Sequence, residues 1–184
     1  PYYRELPDGT IKQVNPFTGT KVWTVPGRGA RPLGKPAEQT RELADHDRRA
    51  ACVFCPDNYL STPPEKTRLV KRAGGLVRGH DLIRCVPADR LDATVPEFRR
   101  VPNLFEILSW RYWQLNWGMS LPRAARDWQE EYLSNPSGEA HVRSGLNAKF
   151  KAVGSDRRAE DLGPQELREA SAAFFAGGHD VIVA

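Results

Sequence analysis

The sequence predicts a mixed α+β protein, because strand-like and helix-like stretches occupy different parts of its 184 residues. Two alternating stretches joined by turn residues lie near the start, and a tryptophan-rich stretch with helical spacing lies at 103–132. A short apolar run at 180–184 returns to strand character. With 40% hydrophobic and 27% charged residues, the composition is that of a globular chain.

The first predicted structure is a β-hairpin. The Asp-Gly dipeptide at 8–9 is a turn signal, and residues 10–14 then alternate apolar and polar side chains as a half-buried strand does. A second turn at 15–19 leads into a second predicted strand at 21–25. The Pro- and Gly-rich segment 25–36 predicts a long basic loop on the surface.

The later elements follow from spacing and from residues that break regular structure. Residues 82–86 and 98–103 have the composition of extended segments. Four of the five tryptophans lie in 103–132, where apolar residues near helical spacing predict one or two amphipathic helices. We expect residues 134–140 to break this helical region, and another helix to begin around Pro164.

Charge and cysteine content narrow the class of protein. The net charge of +4 and the pI near 9.1 suit a partner that carries phosphate. The sequence contains no run of five Lys or Arg, which makes nucleic acid an unlikely partner. It also lacks the run of about 18 apolar residues that a membrane helix needs. Three cysteines would leave one thiol over from disulfides, so we expect a cytoplasmic protein with reduced thiols. We expect Cys85 to be a core residue.

The cysteine pair at 52 and 55 carries the most specific chemistry. It stands in the run C-V-F-C-P-D-N at 52–58, and T-P-P-E follows at 62–65. Two cysteines two residues apart in a tight turn can place both thiolates on one tetrahedral zinc ion. The alternative is a pair of buried thiols in a turn. We predict Cys52 and Cys55 as zinc ligands.

Four motifs in this order resemble the galactose-1-phosphate uridylyltransferase family of the histidine-triad superfamily. They are N-P-F-T-G at 15–19 with R-G-A-R-P at 28–32, C-x-x-C-P-x-N with T-P-P-E, V-P-N-L-F at 101–105, and G-G-H-D-V-I-V at 177–183. The resemblance implies a histidine-triad type of antiparallel sheet with helices on one side, here with a helical, Trp-rich insertion. The implied domain division is 1–108 for the N-terminal part of the transferase-like domain, 109–175 for the insertion, and 176–184 for a returning strand.

The resemblance also implies an enzyme. The family transfers a nucleoside monophosphate between a nucleotide sugar and a sugar phosphate or phosphate, through an intermediate on the central His of an H-x-H-x-H motif. The four histidines of this chain are isolated, so no catalytic residue is assigned to it. We expect the nucleophile and the remaining zinc ligands to lie beyond these 184 residues, and this portion alone to be inactive.

The resemblance assigns substrate contacts to four residues. Arg28 and Arg31 would bind the substrate phosphates, since a guanidinium is suited to phosphate oxygens. Asn103 would hydrogen-bond the nucleotide and Phe105 would pack against its base. The alternatives are two solvated loop arginines and a core phenylalanine. His179 is expected to be structural.

The tryptophan-rich insertion leaves a second function open. Trp110, Trp113 and Trp117 are three and four residues apart, so they share one helix face. We expect them to be core, with a partner or homodimer surface, or a lid over the nucleotide site, as the alternative. The protein would then be a non-catalytic zinc-stabilised scaffold that binds nucleotide, RNA or a protein through the insertion.

Overall fold

The computed structural model describes residues 2–26, 42, 44–72, 79–103, 108–152, 154–176 and 179–184, and it confirms the mixed α+β class. In chain order the described strands are β1 Tyr3–Glu5, β2 Ile11–Val14, β3 Lys21–Thr24, β4 Thr67–Lys71, β5 His80–Arg84, β6 Phe98–Pro102 and β7 Asp180–Val183. The described helices are α1 Asp45–Ala51, α2 Trp110–Trp117, α3 Arg123–Ser134, α4 Pro136–Ala152 and α5 Pro164–Phe175.

The chain forms two compact units. The first comprises described residues within Pro1–Leu43 and Phe105–Ser120, and the second those within Ala44–Leu104 and Leu121–Ala184. The predicted insertion 109–175 therefore contributes α2 to the first unit and α3, α4 and α5 to the second.

The first unit contains an antiparallel sheet in the order β1-β2-β3. The predicted hairpin is confirmed, since β2 pairs with β3 from Ile11 opposite Thr24 to Val14 opposite Lys21. Asn15 closes its turn, because the side-chain oxygen accepts the backbone N–H of Phe17 at 2.9 Å. Gly19 completes the turn at φ 69°, a conformation that favours glycine.

The helix α2 begins and ends at two recognisable caps. The Ser109 hydroxyl accepts the N–H of Tyr112, and Gly118 ends the helix in the left-handed conformation at φ 61°. Tyr112 is its buried side chain, whereas Trp117 is 68% exposed. The expectation of a core tryptophan is therefore wrong for Trp117.

The second unit contains a four-stranded antiparallel sheet in the order β5-β4-β6-β7. The extended segments predicted at 82–86 and 98–103 correspond to β5, which lies two residues earlier, and to β6, which ends one residue earlier. β4 lies between them, with Arg68 opposite Ile83 on β5 and opposite Arg99 on β6. β7 pairs with β6, which confirms the strand predicted near the last residue.

The aromatic core of the second unit lies between α3 and α5. Trp128 and Phe175 meet edge to face with centroids 4.8 Å apart, and Tyr132 contacts both rings at 5.8–6.4 Å. The predicted break at 134–140 is too long. Only Asn135 separates α3 from α4, because proline is tolerated in the first turn and Pro136 starts the next helix.

A glycine permits this tight connection. A Cβ at Gly138 would lie 2.0 Å from the backbone oxygen of Tyr132, so only glycine allows α4 to approach the end of α3 this closely. No helix in the described part of the chain is both long and apolar enough to cross a membrane.

Candidate functional site

The cysteine turn is built by its own backbone and by Asn58. Cys52 ends α1, with its N–H donating to the carbonyl of Arg48 at 3.2 Å, and the Cys55 N–H donates to the Cys52 carbonyl at 3.1 Å. The Asn58 amide then donates to the carbonyls of Arg49 at 2.7 Å and Cys52 at 2.9 Å. Asn58 therefore pairs with the Arg49 carbonyl near the helix end, adds a second hydrogen bond to the Cys52 carbonyl, and so fixes the turn that carries both thiols.

The two thiols of this turn influence each other. A backbone hydrogen bond from Phe54, together with one from the Cys55 side chain, lowers the pKa of Cys52. The hydrogen bond to Cys52 and desolvation raise the pKa of Cys55. A thiolate in this turn is thus stabilised by the hydrogen bond from the neighbouring thiol, so the two cysteines titrate as a pair.

This donor set fits a zinc ion in part. Two reduced, partly buried thiols in one turn are the ligands that structural zinc prefers. Among the described residues, no group of three or more His, Cys, Asp or Glu side chains could hold a metal. Cys52 and Cys55 would therefore provide two ligands, and other ligands would have to complete a tetrahedral set.

A shallow cleft of about 550 Å³ lies against the same turn. Its lining consists of Asp45, His46, Arg49, Asp57 and Asn58. Asn58 belongs both to the cysteine turn and to the cleft, so the turn and the cleft form one structural element. The side chains that line the cleft thus include one guanidinium, one imidazole and two carboxylates.

The T-P-P-E segment leads into a cluster of buried charges. Glu65 is 1% exposed and lies between two arginines that are 0% and 2% exposed. Its carboxylate accepts the Nε of Arg68 at 2.8 Å and the Nε of Arg99 at 2.8 Å. Arg68 also donates to the carbonyls of Leu91 at 2.6 Å and Thr94 at 2.7 Å. The carboxylate is thus the shared counter-ion of two cations from β4 and β6.

Tyr59 and Thr62 complete the environment of Arg99. The Arg99 guanidinium carbon lies 3.9 Å from the Tyr59 ring centre, and its Nη2 donates to the Thr62 hydroxyl at 3.1 Å. In the described part of the chain, Nη1 of Arg99 is buried without a hydrogen-bond partner. One Glu against two Arg leaves this interior with an excess positive charge.

His141 connects α4 to the same segment. Its Nε2 lies 2.7 Å from the carbonyl of Thr62, and its Nδ1 lies 2.7 Å from the hydroxyl of Tyr132. A carbonyl oxygen can only accept a hydrogen bond, so Nε2 carries the ring hydrogen and donates it to Thr62. Nδ1 of the neutral ring then accepts a hydrogen bond from the Tyr132 hydroxyl. Burial lowers the pKa of His141, and burial also raises the pKa of Tyr132, so both groups stay neutral. The ring is a bridge inside the fold.

Asp180, in the G-G-H-D-V-I-V segment, joins β7 to its neighbours. One carboxylate oxygen accepts Nζ of Lys66 at 2.6 Å, and the other accepts Nε of Arg100 at 2.6 Å. The Asp180 side chain is 9% exposed, so it is held as a shared anion between β7, β6 and the residue before β4. His179, just before it, is exposed, and its carbonyl accepts the backbone N–H of Asn103 at 3.0 Å.

The structure describes three of the six predicted site residues. Cys52 and Cys55 lie together in one turn, and Asn103 is half-buried directly after β6. Arg28, Arg31 and Phe105 lie outside the described residues.

One expectation from the sequence is wrong. Cys85, expected in the core, is exposed, because β5 ends at Arg84 and the chain turns there with Cys85 at φ 52°. Sequence reasoning missed Arg68, Arg99, Tyr132 and His141, and their separation along the chain gives no local signal.

The comparisons with known proteins place the chain in one family. The family model described as a domain of unknown function, DUF4921, matches residues 6–184, and the chain belongs to this family. No curated protein and no solved structure matches the chain significantly.

Proposed function

We propose that this chain is the N-terminal part of a zinc-binding nucleotidyltransferase similar to galactose-1-phosphate uridylyltransferases. The full-length protein would move a nucleoside monophosphate between a nucleotide sugar and a sugar phosphate or phosphate. The observation that supports this most directly is the C-x-x-C-P-x-N turn, in which Asn58 closes the loop that presents Cys52 and Cys55.

The neighbouring motifs support the same proposal. Glu65 of T-P-P-E forms ion pairs with two buried arginines, and Asp180 of the last motif forms ion pairs with Lys66 and Arg100, which link β7 to the rest of the sheet. These two motifs thus each supply a side chain with a defined structural role in the four-stranded unit. We propose that this sheet is part of a histidine-triad type of sheet.

Zinc would be structural in this protein. Cys52 and Cys55 would hold it as thiolates, and the remaining ligands would come from elsewhere in the full-length protein. Zinc bound in this way would cross-link the turn to a distant segment of the chain. Because Asn58 fixes the turn before any metal binds, little chain entropy remains to be lost on binding.

The remaining proposed residues would bind the substrate. Arg28 and Arg31 would neutralise phosphate oxygens, Asn103 would hydrogen-bond the nucleotide, and Phe105 would pack against its base. A histidine nitrogen from outside these 184 residues would attack the α-phosphorus and release the sugar phosphate. A second sugar phosphate or phosphate would then take the nucleotidyl group and regenerate the histidine.

Trapping the intermediate tests this function. The full-length protein is incubated with a panel of nucleotide sugars, and its intact mass is measured at mildly alkaline pH, where a phosphoramidate survives. We expect a mass gain equal to one nucleoside monophosphate, which also identifies the base. An unchanged mass with every nucleotide sugar would contradict nucleotidyl transfer through a histidine.

The role of Arg28 gives a second test. Arg28→Ala in the full-length protein should weaken nucleotide-sugar binding by roughly 1.5–3 kcal/mol, because a hydrogen bond to a charged phosphate is lost. Arg123→Ala is the matched control, since its side chain is 89% exposed on α3. Calorimetric affinities that are equal for the two variants would remove Arg28 from the site.

A second candidate function has one observation in its favour. Leu115, Trp117 and Met119, within or just after α2, are 46–68% exposed and form part of the tryptophan-rich insertion. An apolar surface of this kind suits a non-catalytic zinc scaffold that binds a partner. Zinc in the full-length protein together with no nucleotidyl adduct would favour this function.

A further inference from the structure

We propose that one face of the sheet β1-β2-β3 binds a single-stranded nucleic acid. The face consists of Tyr2, Arg4, Lys12, Lys21 and Trp23, and we call it the basic–aromatic face. It lies entirely within the first unit and includes none of the residues proposed for nucleotidyl transfer, so it is a separate function.

The strand register places these five side chains together. Arg4 pairs with Lys12 and Lys12 pairs with Trp23, so the three form one row across the sheet. Tyr2 and Lys21 are two residues away from Arg4 and Trp23 along their chains, and therefore project from the same face. Lys12 Nζ lies 5.5 Å from the Trp23 ring centre, which confirms that these side chains are neighbours.

Most of the basic–aromatic face is open to solvent. Tyr2 is 67% and Trp23 38% exposed, Arg4 and Lys21 are exposed as well, and Lys12 at the centre of the row is half-buried. Tyr2 thus keeps most of its side-chain surface accessible, and Trp23 keeps more than a third of its own. They are available to stack with flat partners.

The charge of the sheet is divided between its faces. Arg4, Lys12 and Lys21 give the basic–aromatic face three positive charges. Glu5, the acidic residue of the three described strands, projects from the opposite face because it is adjacent to Arg4. The result is a cationic surface interrupted by two aromatic rings.

Single-stranded nucleic acid is the partner with matching chemistry. Its phosphates pair with lysine and arginine, while its unpaired bases expose π-faces that stack on Tyr and Trp. A duplex keeps its base faces inside and would use only the charges. An acidic protein segment would likewise leave the rings without a matching partner.

A paired set of variants tests the charges. The probe is a fluorescein-labelled oligo(U) of about 12 nucleotides, and anisotropy gives its affinity for the full chain at several salt concentrations. With three phosphate contacts we expect log K to fall with log salt at a slope of about −2. Lys12→Gln with Lys21→Gln should weaken binding by about tenfold and reduce the slope by about 1.4.

The control changes the net charge equally on the opposite face. Gln13→Glu with Thr24→Glu also lowers the net charge by two, because it adds two negative charges at exposed positions on the face that carries Tyr3 and Glu5. We expect this variant to keep the wild-type slope. Equal losses in both double variants would overturn the proposal, because the net charge alone would then explain binding.

Aromatic truncation tests the stacking. Trp23→Ala should weaken oligo(U) binding by about 5- to 150-fold, whereas Tyr3→Ala, on the opposite face, should change it by less than about twofold. Weaker binding of an equally long duplex and of a polyglutamate peptide would support a single-stranded partner. Equal or tighter binding of either one, or an unchanged affinity in Trp23→Ala, would overturn it.

Discussion

The two sheets of this protein place positively charged side chains in opposite environments. In β1-β2-β3, Arg4, Lys12 and Lys21 lie on a face open to water. In β5-β4-β6-β7, Arg68 and Arg99 are fully buried and share the carboxylate of Glu65. The same residue type thus serves as a surface cation in one unit and as an internal link between strands in the other.

Buried and exposed cations differ in how much their removal changes the stability of the fold. A buried cation is tolerated only with a counter-ion and satisfied hydrogen bonds, so removal of one partner leaves an uncompensated charge in a dry interior. An exposed cation keeps its hydration and contributes little to folding. The buried charges of the second unit therefore contribute to stability, while the charges on the sheet of the first unit are available for binding.

Removal of the shared counter-ion should have the largest effect. Glu65→Gln keeps the side-chain shape but leaves Arg68 and Arg99 without an anion, and we expect the free energy of unfolding to fall by about 3–5 kcal/mol. Urea denaturation followed by circular dichroism measures it.

Asp81→Asn is the control for this change. Asp81 pairs with Arg72 at the surface, where the two side chains are 53% and 57% exposed, so we expect a much smaller loss of stability than in Glu65→Gln. Similar losses for Glu65→Gln and Asp81→Asn would refute the distinction between the two environments.

The buried imidazole should make the second unit sensitive to acid. Burial lowers the pKa of His141 below its usual 6.5, so between that value and the lowered pKa the unfolded chain binds more protons than the folded chain. The contribution of His141 to stability is therefore complete above about pH 6.5 and declines as the pH falls. Nearby Arg99 acts in the same direction, since it repels the protonated ring.

Denaturation curves between pH 5 and pH 8 measure this effect. We expect the wild type to lose more stability on acidification than His141→Gln, which lacks the titrating ring but can still donate a hydrogen bond. Parallel pH profiles for the two proteins would show that His141 titrates normally in the folded chain.

Truncation on the basic–aromatic face should have the smallest effect on folding. Trp23→Ala removes an exposed ring and its contact with Lys12, and we expect a loss of less than about 1 kcal/mol. Thermal unfolding of the variant measures it. A loss above about 2 kcal/mol would mean that Trp23 stabilises the fold and is not simply displayed for binding.

The sequence predicted elements that depend on local signals. The hairpin β2–β3 is encoded by alternation and by a turn that Asn15 and Gly19 close, and the structure contains both. β1 and β4 were missed, because each is short and carries charged residues that resemble a surface segment. Arg68 in β4 is such a residue, and only its partners from β6 and the T-P-P-E segment explain its burial.

In the candidate site, too, the sequence predicted only the features that have a local signal. The spacing of Cys52 and Cys55 is a local signal, and their turn is present with Asn58 as its support. The charge cluster around Glu65 was not predictable, because Glu65 and Arg99 are 34 residues apart in the sequence. The contact of His141 with Thr62 joins residues that are 79 positions apart. Pairings over such separations depend on the fold itself.

Zinc content tests the central proposal about the cysteine turn most directly. We would determine zinc per chain by mass spectrometry in the full-length protein, in the double variant Cys52→Ser with Cys55→Ser, and in Cys85→Ser. We expect one zinc in the wild type and in Cys85→Ser, whose thiol is exposed directly after β5, and none in the double variant. A wild type without zinc, or a double variant that retains it, would contradict the proposal.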